Sequence, residues 1–244
     1  MNKNPDQFHP PQRTVKLFAG ASHGCGYLPA EVATTQFVDP SLSMNPALYS
    51  ELVDLGFRRS GELVYRPRCR QCVACVPMRI PVAAFTPSRR QRRTWQRNQD
   101  LQVHLVPARF NAAHFDLYRR YIAARHPGGG MDVNDPAQYE SFFVSPWSET
   151  WCAEIRDQDR LLAVAVIDRL QQGWSAVYTY FDPAQARRSL GGFAVLWQIE
   201  ECRRLGLPWL YLGYWVEQSP KMAYKNQFQP MEVLRQGGWQ PYLP

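Results

Sequence analysis

Residues 150–215 constrain the fold more than any other stretch of this 244-residue chain. Residues 151–156 (WCAEIR) read as a strand, and Asp157-Gln158-Asp159-Arg160 turns it back. Residues 161–168 (LLAVAVID) form a strongly apolar strand, and Gln171-Gln172-Gly173 turns again into a third strand over 174–183. Three strands joined by short polar turns predict an antiparallel meander. Arg187-Arg188-Ser189-Leu190-Gly191-Gly192 then leads into a long helix, FAVLWQIEECRRLG, stopped by Gly206, with a further strand at 209–214. Strands followed by a helix and one more strand make an α+β arrangement.

The upstream half adds smaller elements. Short strands are expected at 14–19, 33–38 and 63–65. Asn45 caps a helix with Pro46 at its first position, and Leu48, Leu52 and Leu55 recur at helical spacing before Gly56 stops it. A strand over 78–85, a helix over 88–98, a strand over 101–106 and helices over 111–125 and 135–144 follow. A helix opened by Ser219-Pro220 and a last strand, MEVLR, with a Gly-Gly-Trp turn complete the pattern. The Pro-rich residues 1–13 read as a flexible arm, and His126-Pro127-Gly128-Gly129-Gly130-Met131 as a mobile loop. This divides the chain into the arm (1–13), a Cys/Arg-rich N-terminal domain (14–98) and a larger domain (99–244).

Apolar residues at 45% suffice for a core, and no run of 18 of them suggests a membrane span. The polar N-terminus does not resemble a secretion signal, so a cytoplasmic protein is expected, in which six cysteines are thiols or metal ligands rather than disulfides.

Charge is distributed unevenly. The chain carries a net +7, yet residues 58–97 hold eleven arginines, no lysine and one acid, Glu62, or +10. The remainder has 17 basic and 20 acidic residues. Such clustering points to a polyanionic partner. Arg89, Arg92 and Arg93 share one face of the helix at 88–98, with Arg90 and Arg97 beside them and no acid to offset them. Positive charge in the first turns of a helix opposes its dipole, a local cost that a bound polyanion relieves. Trp95 is placed either to stack on a base or to pack in the core.

The same segment contains Cys69, Cys72 and Cys75, spaced C-x-x-C-x-x-C. Three thiolates need a fourth ligand for tetrahedral zinc, and Cys25 or His23 are the candidates; iron–sulfur ligation uses the same donors. Small buried thiols in a turn are the other reading. Arg79 lies among apolar residues, so it either joins a salt bridge or faces a cleft that receives a carboxylate.

Arg188-Ser189-Leu190-Gly191-Gly192 resembles the pyrophosphate-binding loop of the acyl-CoA N-acetyltransferase (GNAT) fold, except that Phe193 follows where that loop has a small residue. A second resemblance is more specific. Cys25-Gly26-Tyr27-Leu28, Gly56-Phe57-Arg58-Arg59-Ser60-Gly61, Tyr65-Arg66-Pro67 with Cys69, Cys72, Ala74 and Cys75, and Arg79-Ile80-Pro81-Val82 resemble the N-terminal part of the aminoacyl-tRNA–protein transferases. Tyr178-Thr179-Tyr180-Phe181-Asp182-Pro183, Ser189-Leu190-Gly191, Tyr211-Leu212-Gly213-Tyr214 and the run from Met222 to Pro230 resemble their C-terminal part. The likeness spans roughly residues 20–240. It is greatest to the short bacterial branch, the aspartate/glutamate leucyltransferases, which likewise lack the second cysteine that eukaryotic arginyltransferases have in the place of Leu28.

The resemblance implies a GNAT-like domain with a mostly antiparallel sheet and flanking helices, packed on a small α+β region. It implies transfer of leucine, or in the alternative arginine, from a charged tRNA to proteins beginning with Asp or Glu. That tags them for degradation in the N-end rule pathway. The helical arginines and Arg188 would then hold tRNA, and Arg79, Lys221 or Lys225 the acidic N-terminus. Tyr178, Tyr180 and Asp182 would orient the amine or relay its proton. The donor ester is already activated, so no cofactor is required. A non-enzymatic zinc-dependent RNA-binding protein is the competing class.

Overall fold

The computed structural model describes residues 14–125 and 135–243; the expected arm and the loop at 126–131 lie outside them. The chain begins with β1 (Leu17–Ala19), β2 (His23–Gly24), β3 (Val32–Ala33), β4 (Thr35–Val38), α1 (Pro46–Asp54), β5 (Arg58–Ser60) and β6 (Leu63–Pro67). It continues through β7 (Val76–Pro81), α2 (Arg89–Arg97), β8 (Gln102–Pro107), α3 (Ala112–Arg125) and α4 (Pro136–Phe143). The second half contains β9 (Thr150–Asp157), β10 (Arg160–Leu170), β11 (Gly173–Phe181), α5 (Leu190–Arg204), β12 (Trp209–Trp215), β13 (Glu232–Arg235) and β14 (Gly238–Pro241). No helix among the described residues is long and apolar enough to cross a membrane.

The expected meander is present as β9-β10-β11, inside an eight-stranded sheet of order β14-β13-β7-β12-β11-β10-β9-β8. Every neighbouring pair in it is antiparallel except β11 and β12, which α5 connects. Successive residues of a strand face opposite sides. Ala163, Ala165 and Ile167 of β10 therefore join the core under α5, while Val164 and Val166 join a second core under α3 and α4. That is why this strand is apolar at almost every position.

A smaller sheet, β1-β4-β6-β5, packs with α1 around Leu48, Leu52, Val53, Phe57 and Val64. Its strand β5 is clamped to the large sheet. Arg59 Nε donates to Asp168 Oδ2 at 2.8 Å and Nη2 to Oδ1 at 2.6 Å, with both side chains fully buried. Tyr49, Thr150 and Ser148 hydroxyls also donate to the Asp168 carboxylate.

Two expectations change, and one strand was not foreseen. Strand β7 lies between β12 and β13, so the boundary drawn at residue 98 cuts through the large sheet rather than between two bodies. The helix expected after Ser219-Pro220 is only a 3₁₀ turn, Ala223–Gln227. Strand β5 was hidden because Arg58-Arg59 reads as exposed charge.

Removing one partner of a buried ion pair leaves the other charge unpaired in a low dielectric. Asp168→Ala should lower unfolding free energy by about 3–5 kcal/mol, measured by urea denaturation.

Candidate active site

Strands β11 and β12 pair only where Gly173, Trp174 and Ser175 face Trp209, Leu210 and Tyr211. Gly173 allows the close approach, since a Cβ there would stand 2.2 Å from the Trp209 carbonyl oxygen. Beyond this point each strand carries an irregularity. The β10–β11 register skips Val177, and the β12–β7 register skips Leu212. An extra residue bends its strand and interrupts the ladder. The two strands run on to Phe181 and Trp215 without further pairing, which opens a cleft between them.

Arg58 enters this cleft from β5. Its Nη2 donates to the Ala176 carbonyl at 2.7 Å, with the Val177 carbonyl at 3.4 Å. Its Nη1 is buried and has no hydrogen-bond partner among the described residues. Gly213, at φ +73°, gives it room, for a Cβ there would lie 2.6 Å from Nη1. Lys225 approaches from the 3₁₀ turn, and its Nζ donates to the carbonyls of Leu212 at 2.8 Å and Tyr214 at 2.6 Å. Burial, reinforced by the positive charge of Arg58, pushes the Lys225 ammonium down to about 7. Tyr27 and Tyr224 lie near Arg58 and remain partly exposed. Burial pushes the Tyr178 phenol up, and its ring packs edge-on against Tyr121.

Next to the end of β12, a cavity of about 580 Å³ is lined by Cys25, Cys69, Cys72 and Cys75 together with Tyr27 and Val216. All four are free thiols. Burial first, and then the other three sulfurs, push Cys75 up to about 11. Cys25 Sγ accepts from the amides of Tyr27 and Leu28, each at 3.4 Å, which shapes its turn. Among the described residues no three His, Cys, Asp or Glu side chains converge as metal ligands. The four thiols thus line one cavity.

Several residues singled out in the sequence have other partners. Arg79 donates to Glu232 and Asp54, each at 2.8 Å, and its guanidinium lies 3.6 Å from the Trp209 ring centroid and 4.4 Å from that of Trp239. Its charge is satisfied within the fold, so it is not a free carboxylate reader. Tyr180 is fully buried and shares a 2.6 Å hydrogen bond with Tyr139, which removes it from the reacting groups. Asp182 caps the turn after β11 by accepting from Ala184 N and pairs with Arg160 at 2.6 Å, a structural role. Arg188 forms a two-pronged pair with Asp100 at 2.8 and 2.9 Å, so its fork is already filled. Lys221 is exposed.

The helical arginines fare differently. Arg89, Arg90, Arg92, Arg93 and Arg97 are all exposed. Ser88 and Gln91 close a capping box at the start of α2, and Trp95 packs on Phe193 at 5.5 Å instead of facing outward. Phe193, the large residue in the loop-to-helix motif, is therefore a core contact. The C-terminal end of α2 is tied to the segment leaving β11: Arg97 donates to Arg187 O at 2.6 Å and Asn98 to Arg188 O at 2.8 Å. The one cleft residue that sequence reasoning missed is Arg58. Its signal was its place in Gly-Phe-Arg-Arg-Ser-Gly, one of the motifs of the resemblance, and it was otherwise counted only within the basic segment.

The sheet is thus split at its single parallel pair, with Arg58 and Lys225 in the split and an arginine helix tied to the segment that leaves β11. The chain belongs to the arginine-tRNA-protein transferase family, whose N-terminal model matches residues 23–93 and whose C-terminal model matches residues 113–235. An aspartate/glutamate leucyltransferase of Nitrosococcus oceani is 54% identical over 88% of this chain and 91% of its own length. One of Alcanivorax borkumensis is 51% identical over 93% of both chains. Among solved structures, FemX aligns with a TM-score of 0.50 at 9% identity, over 94% of this chain and 88% of that one. The C-terminal domain of a putative lysylphosphatidylglycerol synthetase from Agrobacterium fabrum aligns at 0.50 and 14%, over 80% and 62%. These last two likenesses are of fold alone.

Lys225 links stability to pH. Between about pH 7 and its ordinary value of 10.5 the unfolded chain holds a proton that the folded chain lacks. Stability should therefore rise across that window, by up to about 1.4 kcal/mol per pH unit. Urea midpoints compared between about pH 7 and pH 9 should show this slope in the wild type and its loss in Lys225→Met.

Proposed function

We propose that the chain transfers leucine from leucyl-tRNA to the α-amine of proteins that begin with Asp or Glu, marking them for degradation in the cytoplasm. The observation that carries this reading is the position of α2. Five exposed arginines sit on a helix tied to the segment between β11 and α5, beside the open end of the cleft. A tRNA bound there presents its 3′ end to the cleft. Leucine as donor is supported by the names of relatives about half identical along nearly the whole chain, while arginine remains the alternative suggested by the family's description.

The split parallel pair also supports a GNAT-like architecture, with the cleft in the place where such folds join donor and acceptor. The reaction is aminolysis of an ester. A neutral α-amine attacks the leucyl carbonyl, the new C–N bond forms, the bond to the tRNA ribose oxygen breaks, and that oxygen takes up the proton. An α-amine has a pKa of about 7.7–8.0, so an appreciable fraction is already neutral near pH 7. The ester is activated beforehand, so the chemistry proceeds by positioning and oxyanion stabilisation without a cofactor. Of Tyr178, Tyr180 and Asp182, only Tyr178 is left to act on the reacting groups, with its hydroxyl held protonated by burial.

Incubation with leucyl-tRNA should extend a peptide beginning with Asp by one leucine, read by mass spectrometry. Absence of extension with leucyl-, arginyl- and phenylalanyl-tRNA would overturn the proposal. Replacing Arg89, Arg92 and Arg93 by Gln should raise KM for leucyl-tRNA without changing KM for peptide. It should also reduce the slope of log KM against log salt by about one for each phosphate that is no longer neutralised.

A further inference from the structure

Most internal arginines of this chain have an acid. Arg59 has Asp168, Arg79 has Asp54 and Glu232, and Arg156 has Glu154. Arg58 and Lys225 have none among the described residues; they donate to backbone carbonyls instead. They are close enough for Arg58 to depress the ionisation of Lys225. A buried guanidinium without a counter-charge, beside an amine that sheds its proton near pH 7 for want of one, is unfavourable unless something else supplies the anion. Arg58 Nη1 adds a second indication: a guanidinium N–H that reaches neither solvent nor an acceptor. Such an atom costs stability until a partner arrives.

We propose that Arg58, with Lys225 beside it, receives the side-chain carboxylate of the acceptor's first residue. This rests on the transfer reaction proposed above and names its acceptor subsite. The missing charge fits a carboxylate better than a phosphate. The carbonyls of Ala176, Val177, Leu212 and Tyr214 that hold the two side chains repel an anion in proportion to its charge, a dianionic phosphate more than a single carboxylate. The same carbonyls suit a group that brings N–H donors next to its carboxylate, as the first residue of an acidic N-terminus does. Gly213 takes part as well: any side chain at that position would displace the guanidinium.

The test compares peptides beginning with Asp and with Asn, which have the same shape and differ in charge. It has two readouts: peptide binding by fluorescence anisotropy without tRNA, and KM in the leucine-transfer assay. The wild type should prefer the Asp peptide by about 10- to 100-fold, the range of a charge-assisted hydrogen bond. Arg58→Gln should abolish that preference while leaving KM for leucyl-tRNA unchanged, and Arg58→Lys should restore part of it. Where Arg58→Gln does not fold, judged by circular dichroism, Lys225→Met carries the comparison and should weaken the preference. A folded Arg58→Gln protein that still prefers Asp would overturn the assignment. A wild type that transfers nothing, yet prefers the Asp peptide through Arg58, would sink the reaction and keep the subsite. Leucine transfer with the preference intact in Arg58→Gln would do the reverse.

Discussion

The buried pair between Arg59 and Asp168 fixes more than stability. Neighbouring side chains on a strand point to opposite sides. Once Arg59 is clamped on the floor of β10, β5 has one register, and Arg58 must point the other way, into the opening between β11 and β12. A slip of one residue that brought Arg58 to Asp168 would put Phe57 in the place of Arg58. The guanidinium with no acid would then meet Asp168, and the cleft would lose its cation. The hydroxyls of Tyr49, Ser148 and Thr150 donate to the same carboxylate and draw α1 and the start of β9 into one junction. The small sheet is thereby held rigidly against the large one, as a cleft assembled from both requires.

The opening itself comes from local sequence. Gly173 brings β11 and β12 together, and the irregularities at Val177 and Leu212 part them. Parting two strands exposes backbone carbonyls that would be costly to leave unpaired. Arg58 serves one edge and Lys225 the other, so the groups that supply positive charge also satisfy the broken ladder. This dual use explains how a lysine can be buried without a carboxylate: in its neutral form both of its N–H groups still have acceptors.

Much of this was legible in the sequence, and the remainder was not for identifiable reasons. The meander, the long helix and the basic helix followed from periodicity, turn residues and caps, all of which are local signals. The motifs of both halves carried the family. The roles of single charged residues were obscured because their partners are remote: Arg79 looked unpaired, but Glu232 lies 153 positions away in sequence. Tyr178 and Tyr180 looked equivalent, yet the second meets Tyr139 inside the core. Eleven arginines counted as one basic segment divide into two populations, and only tertiary packing separates Arg58, Arg59, Arg66 and Arg79 from the exposed row on α2 with Arg68 and Arg70.

That division has a physical consequence for how two anionic groups of very different size, a polyanion and a single carboxylate, can be handled by one residue type. Charges in solvent are screened beyond about 8 Å at physiological ionic strength, whereas buried charges are screened much less. The arginines of α2 therefore supply long-range attraction for a polyanion, strong at low salt and easily reversed, which suits a carrier that must leave after one transfer. Arg58 acts over a short distance in a low dielectric, where one carboxylate against one amide makes a large difference in energy. In the proposed reading, exposure suits the first group to capture and burial suits the second to discrimination. Salt should consequently weaken donor binding while leaving the choice of acceptor almost untouched, because the selecting charge lies where ions do not reach.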